Sequence, residues 1–122
     1  MIQKANDNKN SNNNNNNNNK SVLFQKAYAN AVNQAMEILG ERVSQIVQDY
    51  IEDKYFIKLE NTYDNPAALT EALNFAIDGG KRIIERRIIK ILSKTFQMNY
   101  HASVLIDFEK QINDVRKSIG NM

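Results

Sequence analysis

The chain has 122 residues, a net charge of +2 and one histidine, and it contains no cysteine or tryptophan. Its length predicts one small domain, since domains usually hold roughly 100 to 200 residues. The composition excludes a disulfide scaffold, thiolate metal sites, cysteine-based catalysis and a multi-histidine zinc cluster. No apolar run approaches the ~18 residues of a membrane span, and no signal-peptide apolar region is present. We therefore expect a soluble, cytoplasmic protein without a membrane partner.

Residues 1–20 differ in composition from the rest of the chain. Eleven of them are Asn, and eight of these form an unbroken run over residues 12–19. Such a segment buries too little apolar surface to offset roughly 1 to 2 kcal/mol per residue of backbone ordering. The sequence therefore predicts a disordered tail, most simply a passive extension, with self-association through asparagine ladders as the alternative.

Apolar residues recur every three or four positions from Ser21 onward, which predicts helices. The first runs from an N-cap at Ser21 to Gly40, where a left-handed residue would end it. A second begins near Glu41 and is predicted to direct six apolar side chains toward the core. These are Val43, Ile46, Val47, Tyr50, Ile51 and Tyr55.

The next segment, residues 56–64, loses the helical period and predicts a short extended connection with Ile57 and Leu59 turned inward. Pro66 then fits the first position of a third helix, with Asn65 as its cap, that runs to about Ile77. The following Asp-Gly-Gly run is the strongest helix-breaking signal in the domain. A kinked helix continuing through Gly79 is the alternative.

A fourth helix is predicted over residues 81–96, and a fifth from about Ala102 to Ile119. The fifth helix repeats apolar residues at intervals of three and four, the spacing of a coiled-coil seam. The residues predicted for self-association are Leu105, Phe108, Ile112, Val115 and Ile119. Because two heptads make a short seam, packing of this helix onto its own domain remains an alternative to packing on a second copy.

Charge is distributed unevenly along the chain. Residues 37–78 hold nine acids and three bases, whereas residues 81–94 hold six bases and one acid. A basic helix face fits an acidic protein partner or nucleic-acid phosphates, an acidic helix of the same fold or of a second copy, or simple solvation. The residues of this predicted anionic-partner face are Arg82, Arg86, Arg87, Lys90 and Lys94.

Residue patterns for catalysis are missing from the sequence. His101 has no sequence neighbour placed to act with it on a helix, so we interpret it as an interface or core-edge residue. Glu85 lies at the edge of an apolar stripe, where it is either a specificity contact or a boundary residue bent toward solvent or Lys81. The glycines and cations of residues 78–82 offer only a weak anion site. We predict no catalytic residues, no metal, no cofactor and no small-molecule substrate.

The runs Tyr50-Ile51-Glu52-Asp53-Lys54-Tyr55 and Asn65-Pro66-Ala67-Ala68-Leu69, followed by Glu71-Ala72-Leu73, Gly80 and Ile83-Ile84-Glu85, form a recognisable pattern. It resembles a small archaeal helical family described as a signalling output domain. The resemblance covers about residues 24–96. It implies an all-helical regulatory module and makes Glu85 part of the pattern, with a structural pairing role, but carries over no catalytic or ligand residues.

Together these patterns predict an all-α protein, a compact bundle of about five helices with a disordered Asn-rich tail. Residues 1–20 form the tail, residues 21–98 a helical core domain, and residues 99–122 an amphipathic and dimerising helix. The expected function is a non-enzymatic regulatory or signalling module that contacts a protein partner or a second copy of itself. The alternative is a nucleic-acid-associated protein that uses the basic face of the fourth helix.

Overall fold

A computed structural model describes residues 2–77, 79–98 and 107–120, with side chains from residue 19 onward. Its α-helices are α1 (Ile2–Met36), α2 (Glu41–Tyr55), α3 (Pro66–Ala76), α4 (Lys81–Thr95) and α5 (Phe108–Gly120). Two 3-10 helices, Glu37–Leu39 and Leu59–Asp64, connect α1 to α2 and α2 to α3. No strand occurs within the described residues. The predicted all-α class and five-helix bundle are confirmed.

Helix α1 is the central element, because it packs against α4, α5 and the second 3-10 helix. The side of α1 that faces these elements is buried, from Phe24 and Tyr28 to Met36. Residues 19 and 20 are already helical, so the predicted N-cap at Ser21 is wrong. Ser21 is an interior residue of the helical segment, and its hydroxyl accepts a hydrogen bond from the Gln25 side-chain amide at 3.2 Å. Disorder of the Asn-rich tail stays a prediction.

Glycine separates α1 from α2 as the sequence predicts. Gly40 has φ +87°, a backbone conformation that side chains with a Cβ disfavour. Its ψ of 150° differs from that of a left-handed helical residue, and a 3-10 turn precedes it. The connection between α1 and α2 therefore consists of a 3-10 turn followed by a glycine of positive φ, and not of a left-handed helix cap.

Residues 59–64 form a 3-10 helix and Phe56 has a left-handed backbone, so the predicted extended connection is wrong at both of its ends. A buried hydrogen-bond chain explains the difference. The Thr62 hydroxyl donates to the Leu59 carbonyl oxygen at 2.7 Å, and the Tyr28 hydroxyl lies 2.7 Å from the same Thr62 oxygen. Because the single Thr62 proton is already used, Tyr28 is the donor in that second contact. The turn is thereby held against α1.

The predicted boundaries of α3 and α4 are confirmed to within one residue. Pro66 occupies the first turn of α3, and the Ala68 amide donates to the Asn65 carbonyl oxygen at 3.0 Å. Ile77 is extended and Gly79 has φ +76°, which rules out a kinked continuous helix. The two helices therefore pack as separate rods.

None of the described helices combines the length and apolar character that crossing a bilayer requires.

Candidate interaction surfaces

The seam of α5 is packed inside the bundle. Four of its predicted self-association residues are buried in the same core as α1 and α4. These are Phe108, Ile112, Val115 and Ile119. The arrangement corresponds to the alternative in which the helix packs on its own domain. Leu105 lies outside the described residues, and homodimer formation stays a prediction.

Arg116 fixes α5 to two other elements at once. Its guanidinium donates a hydrogen bond to the Tyr63 carbonyl oxygen in the second 3-10 helix. The same group lies over the Phe24 ring of α1, with 5.2 Å between its central carbon and the ring centroid. A cation above an aromatic face is attracted by the electrons of the ring. Arg116 is therefore a structural side chain that holds α5 in place.

The basic residues of α4 form an outward face. All five predicted members are exposed: Arg82, Arg86, Arg87, Lys90 and Lys94. At 3.6 residues per turn, four of them project within about 100° of one another, and Arg82 lies at the edge. The opposite side of the helix is buried and includes Ile84, Ile88 and Leu92. The exposure predicted for the basic face is therefore confirmed.

An open groove lies between the basic face and α1. It has a volume of about 490 Å³ and is lined on one side by Asn30 and Gln34 and on the other by Arg87, Lys90 and Lys94. The amides can donate or accept hydrogen bonds, and the cations add positive charge. Sequence reasoning missed the two α1 residues, because the pairing of α1 with α4 is set by long-range packing. The groove could hold an anionic chain.

Acidic α2 and basic α4 are not close neighbours in the described part of the bundle. Helix α2 packs on α3 and the two 3-10 helices, whereas α4 packs on α1, α3 and α5. The charges of the α4 face are therefore not covered by α2 of the same chain. Helix α3 does pack on α4, so the interpretations left open by the sequence are narrowed only by the loss of α2 as the in-chain partner.

Helix α2 presents an apolar stripe to the outside, which overturns part of its predicted core face. The outer stripe consists of Val43, Ile46 and Tyr50, whose exposed fractions are 49, 60 and 42 %. Its buried side instead carries Ser44 and Ile51. Periodicity indicated that α2 is amphipathic, but it assigned too wide an arc to the core. The reason is that α2 lies at the periphery and packs along one narrow side.

Tyr50 is held in place at one end of the outer stripe. The Lys54 ammonium donates a hydrogen bond to the Tyr50 hydroxyl at 3.0 Å. This hydrogen bond raises the pKa of Lys54, because the contact favours its charged form. The same ammonium lies 5.5 Å from the Tyr50 ring centroid and 5.9 Å from that of Tyr55. Contacts with Lys54 therefore hold the Tyr50 side chain in place at this end of the stripe.

Glu85 has a partner within the fold. Its carboxylate accepts a hydrogen bond from the Thr70 hydroxyl at 2.5 Å, and the pair is partly buried between α3 and α4. This contact matches the structural pairing role expected for Glu85, although the partner is neither solvent nor Lys81. The sequence offered no signal for Thr70, which lies on a different helix.

The other residues considered for catalysis, anion binding or metal binding lie only partly within the described ranges. His101 and Asp78 lie outside the described residues. Within the described ranges, no group of three or more His, Cys, Asp or Glu side chains is placed to hold a metal ion. Tyr28 is deeply buried, and burial raises the pKa of its hydroxyl because the phenolate would lose its solvation. Its place in the core suits a structural hydrogen bond.

Comparisons with protein-family models, curated proteins and solved structures found no match for this chain. The surfaces of the molecule therefore carry the functional inference.

Proposed function

We propose that this protein is a non-enzymatic regulatory or signalling module that acts through protein–protein contacts in the cytoplasm. Its contact surface is the outer stripe of α2, and the partner supplies an amphipathic helix. The resemblance of residues 24–96 to archaeal output domains supports the regulatory part of this proposal.

The exposure of the outer stripe is the observation that supports this function best. Val43, Ile46 and Tyr50 follow one another at intervals of three and four residues. Helices that recognise one another use anchors at this spacing. Exposed apolar side chains that cluster along one helix mark interaction sites more often than isolated ones do. A helix with its own apolar seam would remove all three side chains from water.

A binding experiment with matched variants tests the proposal. The full-length chain is used to capture proteins from a lysate of its source organism, and each captured protein is then purified and titrated directly. Val43→Glu should weaken binding at least tenfold, because it puts a charge into the contact. Val22→Glu is the control, since Val22 is 42 % exposed on α1, away from the stripe. Equal binding by both variants to every purified partner would contradict the proposal.

Nucleic-acid binding is the second candidate, and the basic groove favours it. Arg87, Lys90 and Lys94 lie along about 10 Å of one helix, a length that several phosphates of a nucleic-acid strand span. The side-chain amides of Asn30 and Gln34 could bind phosphate oxygens across the groove.

A gel-shift titration at about 50 mM salt tests this candidate. Arg87→Glu combined with Lys90→Glu should weaken binding to DNA and RNA strongly, and any binding that remains should depend less on salt, because fewer counterions are released. The control combines Lys110→Glu with Lys117→Glu, which change the net charge equally on exposed positions of α5. An unshifted probe with the wild-type chain would eliminate the candidate.

A further inference from the structure

We propose that the helix docked on the outer stripe is α2 of a second copy of this chain, packed antiparallel across a two-fold axis. This inference rests on the proposed use of the stripe as a helix-docking surface. A two-fold contact uses the same surface patch of both copies, so that patch must be complementary to itself. The outer stripe and its charged edge meet this requirement.

The apolar part of the contact is short and straight. Val43, Ile46 and Tyr50 project within about 60° of one another, so they form a single seam along α2. The two-fold axis then passes between the two helices at the level of residues 47 and 48. In this arrangement Ile46 of one copy packs beside Tyr50 of the other. Val43 covers the far end of the same seam.

Two charged residues along one edge of the stripe, Arg42 and Asp53, are complementary across the two-fold axis, whereas Asp49 on the same side lies further from the apolar seam and accepts a hydrogen bond from Gln45. Arg42 and Asp53 are both exposed and are eleven residues apart. They project within about 20° of each other, on the Ile46 side of the stripe, and are separated by about 16 Å along the axis. That separation is too long for an ion pair within one chain. In the antiparallel pair this edge faces the same edge of the other copy. Arg42 of each copy then lies next to Asp53 of the other, which gives two symmetric ion pairs.

The surfaces of α4 and α5 are less suited to this role. The seam of α5 is already covered by its own core, with Ile112 fully buried. The outer face of α4 is strongly basic and would repel itself across a two-fold axis. The stripe on α2 combines apolar side chains with charges of both signs. Because one helix pair covers less than a standard interface of roughly 1,200 Å² or more, we expect a concentration-dependent dimer.

Sedimentation equilibrium of the full chain from about 10 to about 300 µM, a range that brackets weak association, tests the proposal. The wild type should show a monomer–dimer equilibrium. Arg42→Glu and Asp53→Arg should each weaken dimerisation roughly tenfold, because each replaces two attractions by two repulsions. The double variant Arg42→Glu/Asp53→Arg should return to within about threefold of the wild type, since both attractions are restored with reversed signs. Circular dichroism checks that all variants are folded.

A wild-type chain that remains monomeric throughout this range would overturn the proposal. So would a double variant that associates no better than the two single variants, because that result removes the pairing of residue 42 with residue 53. Association of the single variants at the wild-type level would do the same.

Cross-linking gives a second measurement that does not depend on charge. The chain has no cysteine, so Ile46→Cys introduces a single thiol. In the antiparallel pair the two thiols lie near the axis, and a short bis-maleimide should join them. Asp114→Cys is the control, since it is exposed on α5. Absence of a covalent dimer from Ile46→Cys, or equal yields from both variants, would overturn the proposal.

These experiments separate the two proposals. A monomeric chain that still binds another protein in a Val43-dependent manner would overturn self-pairing and leave the proposed function standing. A wild-type chain that neither self-associates nor binds another protein would overturn both proposals.

Discussion

The Tyr28 hydroxyl is the most deeply placed polar group of the hydrogen-bond chain that links α1 to the turn before α3. The phenol donates to Thr62, which in turn donates to the Leu59 carbonyl oxygen. Burial raises the pKa of Tyr28 above its ordinary value of 10.0. The folded state therefore keeps its proton at a pH at which the unfolded chain loses it.

Stability should consequently fall in alkaline solution. Below pH 10 the phenol is protonated in both states, so it adds no pH dependence. Above pH 10 only the unfolded state ionises, and the free energy of unfolding should fall by up to about 1.4 kcal/mol per pH unit. Tyr28→Phe should remove this slope in urea titrations between pH 10 and 12, at a cost of about 1 kcal/mol at pH 7. Tyr63→Phe is the control, and an equal loss of slope in both variants would contradict the assignment.

The bond between Thr70 and Glu85 should stabilise the packing of α3 on α4. Thr70→Val keeps the side-chain shape and removes the donor. It should lower the free energy of unfolding by about 1 kcal/mol, because the pair is only partly buried. In a Glu85→Gln background the same substitution should cost less, since the charged acceptor is gone. Identical costs in both backgrounds, measured by urea denaturation, would argue against this pairing.

At the level of elements, helix ends were more predictable than helix neighbours. Pro66 fixes its own φ, and Gly79 tolerates a positive φ that ends a helix, so these local signals located both ends of α3 and the start of α4. The outer stripe of α2 could not be predicted, because periodicity shows that a helix is amphipathic and not how much of its arc is covered. The groove partners Asn30 and Gln34 were hidden for the same reason, since only the three-dimensional packing brings them beside α4.

Helix α5 supplies a large share of the core, and its loss should unfold the bundle. Ile112 is fully buried, so Ile112→Ala should lower the free energy of unfolding by about 2 to 5 kcal/mol. Ile112→Asp should abolish cooperative unfolding altogether, because it buries an unpaired charge. Lys110→Ala, on the exposed side of the same helix, should change stability by less than about 0.5 kcal/mol. A folded Ile112→Asp monomer would show instead that the seam packs between copies.

At the scale of the molecule, acidic α2 and basic α4 are not close neighbours in the described bundle. The cations of α4 repel one another at intervals of three and four residues, an arrangement that costs stability. This face therefore does not stabilise the fold.

This repulsion predicts a stabilising substitution. Lys90→Glu should raise the free energy of unfolding by about 0.5 to 1 kcal/mol, because it places a carboxylate between Arg86 and Lys94, each four residues away. Added sodium chloride should stabilise the wild type more than this variant, since the wild type has more repulsion to screen. Thermal denaturation in low and high salt measures both effects. A destabilised Lys90→Glu chain would contradict this account of the face.

The position of α5 also determines when a newly made chain can fold. Arg116 and the buried residues up to Ile119 complete an interior whose other walls are made by residues 24 to 92. A nascent chain that ends before this segment leaves the ribosome has an open interior and an exposed side of α1 and α4. The bundle can therefore close only after α5 has left the ribosome, and until then the apolar sides of α1 and α4 that α5 covers stay exposed.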